Sequence, residues 1–357
     1  MKTQKVIDFK GENIYVGFDV HKKSWQVTIM TDQITHKSFS QPPSPLALAN
    51  YLQANFSGGT YHSAYEAGFC GFWIHRELEK LGINSIIVNP ADIPTTQKEQ
   101  VQKEDKRDSR KIAKGLSNGD LKGIYVPSIE VVEDRGLIRM RHSLVKDAVR
   151  YKQRIKSFLY FHGIPFPEAF DKLQSHWSQR FMLWLKSIPM HSLSGKQSLD
   201  VLIRECESLR INILDVTKKI RQLSQSEYYK KNIELMQSIP GIGLITGMTF
   251  LTELDNIERF DNTDKLCSFI GLVPTMHSSG EKEVHGHLTY RSNLLLRKML
   301  IESSWIAVRY DPALMRSYIE YCKRMEANKA IIRIARKLVN RIHFVLKNKQ
   351  AYKKLTY

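Results

Sequence analysis

No apolar run in the sequence reaches the ~18–20 residues that a membrane span needs, and Met1–Lys10 holds no signal-peptide core. Both absences point to a cytoplasmic protein without a membrane partner. Cysteine is scarce. Its four copies (Cys70, Cys206, Cys267, Cys322) are far apart and lack metal-ligand spacing, which argues against a disulfide framework and against a zinc site. There is no internal repeat and no low-complexity tract. Acidic residues are missing from the last 29 positions, Lys329–Tyr357, which carry nine basic ones. What is present is a foldable composition, 42% hydrophobic and 25% charged over 357 residues, enough for two or three domains.

The charge is lopsided. Lys and Arg number 54 against 36 Asp and Glu, a net charge of +18. Residues 1–125 hold 16 basic and 13 acidic side chains, so the remainder holds 38 and 23, and +15 of the +18 falls there. A surface of that sign attracts a polyanion by counterion release along a phosphate backbone, which makes nucleic acid the expected partner class.

Along the chain, residues 1–125 read as one α/β domain. Strand signals cover Ile14–Phe18, Trp25–Met30, Gly59–Tyr65 and Ile83–Val88, and helical spacing covers Phe69–Leu81 and Asp105–Leu116. Residues 126–236 read as helical. Leu202, Leu209, Ile213, Val216, Ile220 and Leu223 form a heptad-like seam fit for pairing within or between subunits. Residues 237–357 read as a mostly α domain with two Gly-rich spots. Trp73, Trp177, Trp184 and Trp305 sit in apolar helical patterns and are expected in the core.

Four carboxylates stand out by position. Asp19 ends the first strand and Glu66 ends another, while Asp105 and Asp108 share one face of a helix, with Glu104 as the neighbouring alternative to Asp105. Converging carboxylates repel unless cations neutralise them, and oxygen ligands of this kind suit Mg²⁺ or Mn²⁺. Each acid alone is ordinary, and Asp105 could serve as a helix N-cap. Further on, Ile239-Pro-Gly241-Ile-Gly243 resembles a helix-hairpin-helix turn, whose backbone N–H groups approach a phosphate. Ser278 and Ser279 precede Gly280 in a stretch with turn chemistry, followed by Lys282, Arg291, Arg297 and Lys298. A serine there could attack phosphorus beside cationic donors, although Ser-Gly turns are common.

Taken together, Gly17-Phe-Asp19-Val-His-Lys-Lys, Tyr65-Glu66-Ala-Gly, Lys103-Glu-Asp105-Lys-Arg-Asp108-Ser-Arg-Lys-Ile-Ala, the Gly241/Gly243 turn and Gly271-Leu-Val-Pro…Ser-Gly resemble the DEDD-type insertion-sequence transposases. That family includes the Piv DNA invertases and the bridge-RNA-guided recombinases. The resemblance spans nearly the whole chain. It implies a ribonuclease-H-like domain of the RuvC type whose Mg²⁺-binding acids are Asp19, Glu66, Asp105 and Asp108. It further implies a coiled-coil segment for pairing as a homodimer or homotetramer, and a C-terminal domain whose serine joins covalently to DNA. Ser279 is the matching position, with Ser278 one place away. The implied site combines domains of different subunits, and the implied partners are donor and target DNA and an element-encoded bridge RNA. The work implied is DNA transposition, carried out on the bacterial nucleoid. The alternatives are a RuvC-like junction-resolving nuclease, using the same acids without an adduct, and a non-catalytic nucleic-acid-binding protein.

Overall fold

The computed structural model describes residues 8–32, 34–94, 105–279 and 282–354, of which 105, 106, 276–279 and 282–285 by their backbone. The chain divides into two units, Met1–Val126 and Pro127–Tyr357.

The first unit is α/β. Strands β1 (Asn13–Val20), β2 (Trp25–Thr31) and β3 (Ile34–Gln41) form an antiparallel meander. Helix α1 (Pro45–Asn55) then leads to β4 (Thr60–Glu66), and α2 (Trp73–Lys80) to β5 (Asn84–Val88), both strands running parallel to β1. Helix α3 (Asp105–Ser117) follows. The sheet order is β3-β2-β1-β4-β5. Alternation along the strands sorts the side chains to two faces. On one face, Phe18 stacks between Trp25 and Tyr65, each ring centroid 5.1 Å away, and packs in one core with Leu48, Leu52, Ile74 and Leu78 of α1 and α2. On the other face, Ala64 and Val88 are buried with Ile112 of α3.

Two elements depart from expectation. Helix α1 is an addition to the predicted elements, and so is strand β3, whose ITHKSFSQ is polar with only Gln41 buried. The helix predicted from Phe69 begins at Trp73, and Phe69 and Trp73 are exposed rather than core. The core side of that helix is carried by Ile74 and Leu78, four residues apart.

The second unit is mostly helical. Helix α4 (Ile129–Phe161) starts at Ser128, whose Oγ accepts from the Val131 N–H. It is followed by α5 (Gln179–Ser187), α6 (Leu193–Leu223), α7 (Glu227–Gln237), α8 (Leu244–Leu254) and α9 (Thr263–Ile270). An antiparallel hairpin comes next, β6 (Pro274–Ser279) and β7 (Lys282–Leu288), then α10 (Leu294–Tyr310), α11 (Pro312–Cys322) and α12 (Ala327–Asn348). The long helices α4 and α6 run antiparallel: Arg141 donates to Thr217 near one end, and Ile155 shares a cluster with Leu199 and Ile203 near the other. Of the heptad-like seam on α6, Ile220 is buried, and Leu202, Val216 and Leu223 are partly buried against cores of this unit. A larger core joins Ile138 of α4 and Ile220 of α6 to α8, α10 and the buried stripe of α12.

Candidate active site

The positions of Asp19 and Glu66 follow from the β ladder. The last register pair between the parallel strands β1 and β4 is Phe18 with Tyr65. Asp19 and Glu66 are the next residue on each strand, so they lie at one edge and on the face opposite those rings. Gly17 and Ala64, two residues earlier, share that face, and it is the face that α3 covers.

Gly17 is the seat of α3. A Cβ on Gly17 would lie 2.2 Å from the Ala113 nitrogen and 2.3 Å from the Ser109 carbonyl oxygen, so the helix backbone rests on the strand where only glycine fits. Beside this contact runs a chain of hydroxyls. Thr28, the register partner of Gly17 on β2, lies 2.9 Å from Ser109 Oγ and 2.8 Å from Ser38 Oγ. Buried hydroxyls need such partners, and these fix the rotation of α3. Ser109, Ile112 and Ala113 thereby face the sheet, and Asp108 immediately precedes them.

Basic side chains stand against two of the acids. His21 Nε2 is 3.2 Å from Asp19, and Lys111 Nζ is 3.8 Å from Asp108. Asp19 is nearly buried, its side chain 16% exposed. Among the described residues no group of three His, Cys, Asp or Glu side chains converges tightly enough to hold one ion. The fourth acid, Asp105, is the first residue of α3, and its side chain lies outside the described residues, as do Glu104 and Lys103.

In the second unit, Ser279 is the last residue of β6, opposite Lys282, and Ser278 opposes Glu283. The side chains of Ser278, Ser279 and Lys282, and Gly280 entirely, lie outside the described residues. The base of this hairpin is held from several sides. Arg297 donates to the carbonyls of Gly271 (3.2 Å) and Thr289 (2.8 Å), which bracket the two strands. Arg336 donates to the Leu272 carbonyl at 3.1 Å. Asn293 caps α10 through the Leu296 N–H and donates at 2.9 Å to Glu253 on α8. Glu253 is buried and accepts two bonds from Arg139 on α4, at 2.7 and 2.9 Å.

Glu253 and its partner Arg139 were not among the predicted functional residues. The one sequence signal is a lone carboxylate in the apolar run Met248-Thr-Phe-Leu-Thr-Glu253-Leu, while the partners lie 114 and 40 residues away.

The other predicted nucleic-acid residues separate. Gly241 turns onto α10: with φ +88°, its Cβ would sit 2.4 Å from the Ser303 carbonyl oxygen. Gly243 begins α8 with open space around it. Arg297 spends its guanidinium on the hairpin base, and Arg291 lies exposed in the turn after β7. Lys298 belongs to a cationic cluster with Arg141, His142 and Lys146. Burial first, and these cations second, push the His142 pKa below its ordinary value.

The family model described as a transposase of the DEDD insertion-sequence type matches residues 16–163, and that of the transposase IS116/IS110/IS902 family matches residues 233–320. The chain belongs to the DEDD insertion-sequence transposases, a family of DNA transposase and recombinase enzymes. Among its relatives is the transposase for insertion sequence element IS1533 of Leptospira borgpetersenii, 24% identical over 96% of this chain and 98% of that one. The transposase for insertion sequence element IS1111A of Coxiella burnetii is 24% identical over 80% and 77%. A protein with a provisional transposase name, y4qE of Sinorhizobium fredii, is 28% identical over 70% of this chain, which spans 58% of that relative's length. Among the described residues no helix is long and apolar enough to cross a membrane.

Proposed function

We propose that the protein moves an insertion sequence by cutting and rejoining DNA strands, with Asp19, Glu66, Asp105 and Asp108 at one site and Ser279 as nucleophile. The observation that carries this reading is the pairing of Asp19 and Glu66 at the ends of adjacent parallel strands, on the face to which Gly17 admits α3. A five-stranded mixed sheet with helices on both faces is compatible with a RuvC-like domain. Carboxylate oxygens without nitrogen or sulfur donors fit Mg²⁺ or Mn²⁺. Bound there, such ions supply charge stabilisation at the phosphodiester.

In this mechanism the Ser279 hydroxyl loses its proton to a base and its oxygen bonds to phosphorus. The sugar oxygen on the other side of that phosphorus leaves and takes up a proton. The phosphoserine ester conserves the bond, so a sugar hydroxyl of a second strand can reverse the step, release the serine and join the strands without an external energy source. Arg297, Arg336 and Asn293 position the hairpin that carries the serine. With this reading go donor and target DNA, an element-encoded guide RNA, a homodimer or homotetramer, and work on the nucleoid in the bacterial cytoplasm.

The test is a denaturing gel for a covalent protein–DNA adduct, from protein expressed with its native flanking DNA. An adduct lost in Ser279→Ala but kept in Ser278→Ala supports the reading. An adduct lost only in Ser278→Ala moves the nucleophile by one position. Mg²⁺-dependent nicking that disappears in Asp19→Asn, with no adduct in any sample, replaces the reading with a nuclease in which water attacks.

A further inference from the structure

The second unit contains an open groove of about 1520 Å³ beside the hairpin. That exceeds the ~300–1,000 Å³ typical of a small-molecule pocket, so its size suits a polymer. Six of its lining residues are Lys or Arg, against one acid, Asp264. Three of the six are already engaged: Arg297 with carbonyls, Arg336 with Leu272 and Asp264, and Arg341 with buried Asp311 at 3.4 Å. The other three, Lys329, Arg333 and Lys337, are exposed and lie four residues apart on α12. They form a stripe rising ~12 Å along the helix. Lys329 has one weak exposed contact with Glu326 at 3.5 Å. Arg333 and Lys337 have no carboxylate partner among the described residues. Both rest against the Tyr321 ring, 5.7 and 5.9 Å from its centroid, which orders the side chains without using their N–H donors.

The rest of the groove is unlike this stripe. The hairpin contributes Pro274 and Leu288, and Tyr290, at 91% exposure, stands at the hairpin's exit. A duplex presents phosphates and hides its base faces, so it has no use for an apolar and aromatic lining. An unpaired strand presents phosphates to one side and bases to the other, which is the combination of cations and stacking surface found here.

We infer that this groove binds an unpaired DNA strand, its phosphates on Lys329, Arg333 and Lys337 and a base stacked on Tyr290. The strand is thereby led along the hairpin that carries Ser279. The inference rests on the proposed strand-cleavage function and adds to it how the cut strand is held.

The test is fluorescence anisotropy with the full chain and three labelled probes of one sequence: single-stranded DNA, duplex DNA and single-stranded RNA. Arg333→Gln with Lys337→Gln retains the side-chain stems over Tyr321 and removes two charges. It is expected to reduce the slope of log affinity against log salt for single-stranded DNA by ~1.4. Tyr290→Ala is expected to weaken single-stranded DNA roughly 5- to 150-fold and to leave duplex binding unchanged. Unchanged thermal unfolding of both variants shows that folding is not the cause. Wild-type binding of single-stranded DNA by both variants overturns the inference. Equal losses for duplex and single strand, with Tyr290→Ala silent, also overturn it and make the groove a duplex surface. A loss confined to the RNA probe overturns it in favour of a guide-RNA site. The adduct gel reads Ser279 and Asp19 independently, so an intact groove effect without any adduct sinks only the cleavage reading, and the converse result sinks only the groove.

Discussion

In the first unit the candidate acids are placed by backbone. The β1–β4 ladder brings Asp19 beside Glu66, and α3 is located by a strand glycine and a line of hydroxyls. In the second unit the hairpin bearing Ser279 is placed by long side chains: Arg297 and Arg336 on carbonyls, and Glu253 joined to Arg139 and Asn293. Backbone placement tolerates no added volume at its contact, because neither partner can rotate away. Side-chain placement tolerates volume but depends on buried charge, and losing one partner leaves the other uncompensated. The two units should therefore fail under different substitutions.

The largest expected effect is in the second unit. Glu253→Ala removes the acceptor facing Arg139, Arg135 and Asn293. Breaking a buried pair costs ~3–5 kcal/mol, and the lower end applies because Arg139 is 57% exposed. Chemical denaturation followed by tryptophan fluorescence should show a lower midpoint for the transition of this unit, with the other unit's transition unmoved. A joint shift of both would mean that the units do not respond separately.

Next comes Gly17→Ala, which adds one methyl. Overpacking costs ~1–3 kcal/mol, and the upper end is expected because the obstructing atoms, Ala113 nitrogen and Ser109 oxygen, belong to the backbone. If Asp105 and Asp108 act as proposed, the protein–DNA adduct should be lost even at a temperature where the variant stays folded, since α3 carries both. A retained adduct would show that the acids do not depend on this seat. Ser109→Ala should do less, ~0.5–1.5 kcal/mol, because Thr28 keeps Ser38 as a partner at 2.8 Å. A larger loss in thermal unfolding would mean that the hydroxyls, not the glycine contact, hold the helix.

The same contrast explains what could be read from the residues alone. Asp19 and Glu66 were legible as strand-end residues because each closes a β-forming run ending in an aromatic, Phe18 or Tyr65, and strand ends are marked by local pattern. Strand β3 was not, because an exposed edge strand need not alternate, and β3 is mostly polar. The hairpin showed only its turn: PTMHSS and KEVHGHL lack an apolar face, and their anchors are Arg297 on the helix that follows and Arg336, 64 residues from the carbonyl it holds. The α6 heptad was legible as a pairing seam, but its period does not say which helix is opposite. In the structure α4 of the same chain packs on the neighbouring positions Leu199, Ile203 and Thr217.

The smallest expected effect tests whether the cationic cluster around Lys298 receives phosphate. In the folded protein the His142 pKa lies below its ordinary value of 6.5, through burial first and then Lys146, Lys298 and Arg141. The unfolded chain therefore takes up the proton at higher pH than the folded one. His142 thus contributes stability above pH ~6.5 that is lost as pH falls through that value, until the folded-state pKa is reached. His142→Gln should remove this part of the acid-side decline, leaving the share from His62, which burial lowers in the same direction. A polyanion bound over Lys298 and Lys146 would offset the cations that disfavour the imidazolium and raise the His142 pKa. Binding would then take up a fraction of a proton, and wild-type affinity for DNA would rise between pH 7.5 and 6 more than that of His142→Gln. Equal pH dependence in the two proteins would place the phosphates elsewhere and leave Lys298 a solvated neighbour of α4.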